Sequence, residues 1–85
     1  MLPYSEKTID RICIRIFDKS VSEEELVWHR DKEDRLVEAL EDTDWMVQID
    51  NELPKKLDKI FISKGTYHRV IKGTGTLKAK ITRFE

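Results

Sequence analysis

Trp28-His29-Arg30-Asp31 and Ser63-Lys64-Gly65-Thr66-Tyr67-His68 are the two stretches on which the reading of this chain turns. If both are strands, His29 and Asp31 stand two residues apart and project to one face, because strand side chains alternate with period two. His68 is the only other histidine. Two imidazoles and a carboxylate, two of them on one strand, form the ligand set of a facial-triad metal site. Such a site leaves coordination positions open for water, substrate or oxygen. A neighbouring strand must bring the third ligand, so the fold rather than the local sequence closes the site.

Outward from these stretches the chain reads as short strands and turns. Leu26–Asp31 is expected as the first strand, Arg35–Leu40 as the second and Trp45–Ile49 as the third, with Trp45, Val47 and Ile49 on one face. Asp42-Thr43-Asp44 is a turn signal. Pro54 ends a loop, since proline does not suit a central strand. Leu57–Ile62 is the fourth strand. It ends in Ser63-Lys64-Gly65-Thr66, where Gly65 can supply the positive φ that a turn often needs at its third position. Thr66–Lys72 carries His68. Thr76–Phe84 alternates, with Leu77, Ala79 and Ile81 on one face and Lys78, Lys80 and Arg83 largely on the other. Six short strands at even spacing predict an antiparallel barrel or sandwich.

Before them, Ser5 to Asp18 carries two competing periods. Ile9, Ile12, Cys13, Ile16 and Phe17 follow the i, i+3, i+4 stripe of an amphipathic helix behind a Ser5 N-cap. Ile12, Ile14 and Ile16 alternate as in a strand. The helical reading strands only Ile14. The expectation is therefore a mainly all-β chain: a short N-terminal helix or arm and connector over 1–25, and a small barrel over 26–85.

At 85 residues this is one domain. Sixteen Lys and Arg against 17 Asp and Glu leave no basic excess, which argues against nucleic acid as a partner. A core this small is often supplemented by a metal or a second subunit, and a homodimer is expected. Cys13 is the only cysteine, so no internal disulfide is possible. No apolar run approaches the ~20 residues of a membrane span, and the N-terminus lacks a signal-peptide layout. The expected setting is soluble and cytoplasmic, with no membrane partner.

The chain resembles a small single-domain cupin. That family carries a His-x-His motif followed by Glu, and a second motif, Pro-x-Gly-x-x-His. His29-Arg30-Asp31 matches the first with Asp for the second His, and Ser63–His68 matches the second with Ser for Pro. The resemblance runs from about Leu26 to Ile81 and implies a double-stranded β-helix. The family's Glu ligand would fall near Arg35 or Leu36, so this variant has three ligands, His29, Asp31 and His68. That set is similar to the one in Fe(II)- and 2-oxoglutarate-dependent oxygenases. Lys78 is where such an enzyme would hold its cosubstrate, although parity turns it away from the Leu77-Ala79-Ile81 face.

The donor set suits a divalent transition metal, Fe(II) first, with Zn, Mn or Ni as other ions. Arg35 and Gln48 are the candidate contacts for a small-molecule ligand, through a guanidinium fork and an amide. The expected function is a metal-dependent enzyme, of oxygenase or Lewis-acid type, acting on a small polar molecule. A non-catalytic binding or sensing barrel is the alternative.

Overall fold

A computed structural model describes residues 3–84, apart from the side chain of Glu25. The first two positions of the expected arm and the last of the barrel lie outside that range. The described residues form eight strands and one 3-10 turn: β1 Ser5–Ile9, β2 Ile12–Phe17, the 3-10 turn Glu23–Glu25, β3 Asp34–Ala39, β4 Met46–Ile49, β5 Lys55–Lys56, β6 Lys59–Ile62, β7 His68–Ile71 and β8 Leu77–Phe84. A five-stranded sheet runs β1-β2-β8-β3-β6 and a three-stranded sheet β5-β4-β7, all pairs antiparallel. The sheets face each other across a core of Phe17, Val21, Trp45, Val47, Leu57, Ile62, Leu77 and Ala79.

The N-terminal helix is not there. Residues 5–17 are a hairpin whose second strand pairs with β8 and extends the larger sheet. Asp10 turns the chain at φ +54°, a left-handed conformation that aspartate tolerates better than most side chains. The apparent helical stripe is an effect of this reversal. Cys13 and Phe17 point into the core, whereas Ile9, Ile12 and Ile16 are exposed on the outer face. The β-branched alternation of Ile12, Ile14 and Ile16 was the governing period.

The first barrel strand is also reduced. Leu26–Asp31 makes only an isolated bridge, His29 to His68. The other strands appear where alternation placed them, within a few residues. Leu77, Ala79 and Ile81 face inward and are buried. Gly65 takes φ +79°, and the Thr66 N–H to the Ser63 carbonyl at 3.1 Å closes its turn. Trp45 is fully buried and satisfies its indole N–H on the Gly75 carbonyl at 2.8 Å. Burying such side chains stabilises by about 1.5–3 kcal/mol each.

On the outer face of the large sheet, register aligns Ile9, Ile12, Thr82, Leu36 and Phe61 in one row across all five strands. Phe84 packs against Phe61 beside it. No helix among the described residues is long and apolar enough to cross a membrane.

Candidate metal centre

His29, Asp31 and His68 meet at the open end of the barrel, each offering a ligand atom within 4.8 Å of the others. His68 is the first residue of β7, and the segment between the 3-10 turn and β3 supplies His29 and Asp31. The imidazoles lie 4.3 Å apart, centre to centre, tilted by 58°. Asp31 divides its oxygens: Oδ2 lies 3.3 Å from His68 Nε2, and Oδ1 lies 3.6 Å from His29 Nε2. Metal bonds of about 2.0–2.2 Å would set neighbouring donors about 3 Å apart, close to this spacing.

Both histidines are oriented alike. His29 Nδ1–H donates to the Val27 carbonyl at 3.0 Å, and His68 Nδ1–H to the Thr66 carbonyl at 2.8 Å. A carbonyl can only accept, so the proton must sit on Nδ1 in each ring. Nε2 of each ring is then the atom that faces the Asp31 carboxylate, with a lone pair in a neutral ring and an N–H in an imidazolium. Lone pair against carboxylate is repulsive unless a positive charge stands between them, either a proton or a metal ion. Backbone carbonyls behind ligating histidines are the usual outer support of such sites. The donor set fits a divalent transition metal.

Asp31 has an almost buried side chain, 7% exposed. Burial pushes its carboxyl up, but the His68 hydrogen bond and the charges of Arg35, His68 and His29 outweigh it and hold it below the ordinary carboxylate range. Burial pulls His68 down, yet the Asp31 hydrogen bond, the Thr66 carbonyl and the Asp31 charge prevail over burial and Arg35. Its imidazole sits above the ordinary histidine value.

Arg35 reaches the site. Its Nη1 lies 3.3 Å from Asp31 Oδ1, while Nε and Nη2 hold Glu33 Oε1 at 2.8 and 2.6 Å. Gln48 does not. It faces outward on β4, where its Oε1 accepts from Arg69 at 3.0 and 2.8 Å. Register explains this: Gln48 pairs with Arg69, whereas the inward positions of these strands are Val47 and Val70. Lys78 also points away from the barrel interior, paired with Glu41 at 2.8 Å.

Behind the triad lies a cavity of about 350 Å³, walled chiefly by aliphatic side chains such as Val37, Val47, Leu57 and Ile62. Arg15 and Tyr4 also line it, with the Arg15 guanidinium 4.3 Å from the Tyr4 ring centre and its Nε on Glu6 at 2.6 Å. Sequence reasoning missed this pair because it assigned both residues to a helix or arm outside the barrel. It also missed Glu33 as the partner of Arg35, although Glu33 and Arg35 are a same-face i, i+2 pair.

No family model matches the chain, and no curated protein matches it in sequence. Solved structures do match in shape. A cupin domain from Bordetella pertussis Tohama I superposes with a TM-score of 0.65 at 13% identity, over 100% of this chain and 98% of that one. The Fe(II) form of HppE in complex with substrate gives 0.66 at 15% identity, over 95% of this chain. The hydroxypropylphosphonic acid epoxidase from S. wedmorenis gives 0.63 at 17%, again over 95%. The chain spans about half of these last two, 52% and 49%. The conclusion from strand order, register and these superpositions is that the chain has the cupin fold.

Proposed function

We propose that His29, Asp31 and His68 hold a divalent transition metal, Fe(II) in the first instance, and that the barrel is a metal-dependent enzyme acting on a small organic anion. The observation that carries this reading is the convergence of two Nε2 atoms and a carboxylate, each ring fixed by a backbone carbonyl behind it. The Fe(II) form of HppE, which shares the fold, supports iron as the first ion to test. Bound there, the ion would supply a Lewis-acid centre with open positions for substrate or oxygen.

The chain's own groups favour one class of substrate. Three arginines, Arg15, Arg35 and Arg83, face three carboxylates, Glu6, Glu33 and Asp31, along the barrel's open end. Their charges balance, so a divalent cation leaves the end positive and favours an anionic group. Arg35 is the nearest guanidinium to the triad and would orient that group. The aliphatic walls behind it suit an apolar body, which narrows the expected small polar molecule to one with a single charged head. Fully burying a drug-sized ligand takes a cavity of roughly 300–1,000 Å³, so this one favours small ligands.

Metal content of untagged protein, measured by mass spectrometry beside His29→Ala and His68→Ala, tests the reading. About one equivalent of Fe, Mn, Ni or Zn in the parent, lost in both folded variants, is expected. No metal after anaerobic loading with Fe(II) and with Zn(II) would sink it.

A second reading rests on Arg35. Its guanidinium already compensates Asp31, which would let the barrel work as a metal-free binding module. Carboxylate binding unaffected by chelator would favour that reading. For either function the homodimer would use the Ile9-Ile12-Leu36-Phe61 row, and sedimentation of Phe61→Glu as a monomer is the expected result.

A further inference from the structure

The two histidines sit in the same local sequence. Trp28-His29-Arg30 and Tyr67-His68-Arg69 each place an aromatic residue before the histidine and an arginine after it. The tripeptides meet antiparallel at the His29–His68 bridge, so each arginine comes opposite the other tripeptide's aromatic ring. Both histidines turn into the barrel, and alternation sends the four flanking side chains to its outside. There they make a four-layer stack. The Arg30 guanidinium lies 4.7 Å from the Tyr67 ring centre, and Tyr67 stacks on Trp28 at 5.2 Å with planes 22° apart. The Arg69 guanidinium lies 4.9 Å from the Trp28 ring on the far side, and Gln48 on β4 holds Arg69 in place.

The backbone needs such a device at this point. His68 belongs to β7, paired with β4 over four residues. His29 belongs to no strand. Its segment meets the other through one reciprocal bridge, His29 N–H to His68 O at 2.9 Å and back at 3.0 Å, and through the Gly65 N–H on the Asp31 carbonyl at 2.9 Å. One bridge fixes the separation of two segments but resists rotation about it only weakly. A ring stack that crosses the bridge diagonally, with a cation on each outer face, opposes that rotation. None of the four side chains lines the cavity, and neither Trp28 nor Tyr67 belongs to the hydrophobic core.

We infer that the Arg30–Tyr67–Trp28–Arg69 stack is the positioning device of the metal centre, fixing the angle at which His29 meets His68 and thereby the affinity for metal. These are positioning residues, acting through the two histidines, and the inference rests on the metal reading of the triad. Outer supports of this kind change metal affinity by about 10–100-fold when removed.

The test combines Co(II) titration with amide hydrogen exchange of the metal-free protein, in wild type, Trp28→Ala, Trp28→Phe, Tyr67→Phe and Leu53→Ala. Leu53 is an exposed apolar residue outside both the stack and the Ile9-Ile12-Leu36-Phe61 row. Trp28→Ala should weaken Co(II) about tenfold or more and speed exchange of the His29 and His68 amides while the β8 amides keep their protection. The two phenylalanine variants at 28 and 67 should keep both properties near wild type, and Leu53→Ala should change neither. Wild-type Co(II) affinity in Trp28→Ala would overturn the inference. So would equal loss of protection in β8, which marks a general stability effect. Should wild type itself take no Co(II), the metal reading fails on that result alone. Selective loss of His29 protection would then still uphold the stack as the device that positions the histidines, and unchanged protection would overturn it.

Discussion

The two histidines of the site live in opposite settings. His68 is the first residue of a strand, its side chain 5% exposed, with a neighbouring strand laced alongside. His29 lies between a 3-10 turn and β3, its side chain 44% exposed, with one bridge for backbone support. Half of the site is thus framework and half is an arm brought up to it. The difference implies that the two ligands should count equally for metal and unequally for the fold.

Removing each in turn is the largest test of that contrast. His68→Ala and His29→Ala should each cost metal binding more than about a hundredfold, since each removes one of three donors and outer supports alone cost about 10–100-fold. Only His68→Ala should destabilise the metal-free protein, by about 1–3 kcal/mol, because it strips a buried carboxylate of a hydrogen-bond partner. His29→Ala, on the exposed side, should stay within about 0.5 kcal/mol. Urea melts in chelator read this directly. Equal losses of stability would mean that the arm is as integral as the strand.

Arg35 sharpens the comparison next, because it touches the carboxylate that both histidines share. Its Nη1 competes with a cation for Asp31 Oδ1 at 3.3 Å. Arg35→Gln should therefore bind Zn(II) roughly tenfold tighter, relieved of a nearby positive charge, while a short-chain carboxylate binds more weakly to the same variant. Competition with a chromophoric chelator measures the first and calorimetry the second. Weaker Zn(II) binding would show that the guanidinium supports the site rather than competing for it.

This division also explains what could be read from the chain. The triad was legible because its logic is local chemistry: alternation puts His29 and Asp31 together, and Gly65 announces the turn that delivers His68. β8 was legible because Leu77, Ala79 and Ile81 obey one period without interruption. The N-terminal hairpin was not. A two-residue reversal at Asp10 and Arg11 puts apolar residues of both faces into one apparent helical stripe, and the cue, an aspartate accepting positive φ, is weak. Gln48 was misplaced for a different reason. The cue was in its own strand, since Trp45, Val47 and Ile49 share the apolar face and leave Gln48 on the other, and β7 sets Val47 beside Val70 and Gln48 beside Arg69. The aromatic-His-Arg repeat was present in the sequence, but its meaning depends on an antiparallel bridge that neither tripeptide encodes alone.

The smallest expected effect is the pH dependence that separates the metal-free and metal-loaded forms. In the metal-free protein the Asp31 interaction raises His68 above the ordinary histidine value. A group raised in the folded state favours folding fully below its unfolded value, about 6.5, and that contribution disappears as pH climbs through the folded value. Asp31 is held low, so its contribution is present above the ordinary aspartate range and is lost only in acid, outside this window. The metal reverses the slope, because it binds the neutral imidazole and displaces the proton. Between pH 6 and roughly 8, therefore, thermal stability in chelator should fall with rising pH, while the increment conferred by Zn(II) should grow. His68→Ala should flatten the first trend and abolish the second. His29→Ala should abolish only the second, since it leaves the His68–Asp31 pair in place. A metal-free protein that becomes more stable across this window would place a neutral His68 beside Asp31, and the site would then hold its carboxylate through Arg35 alone.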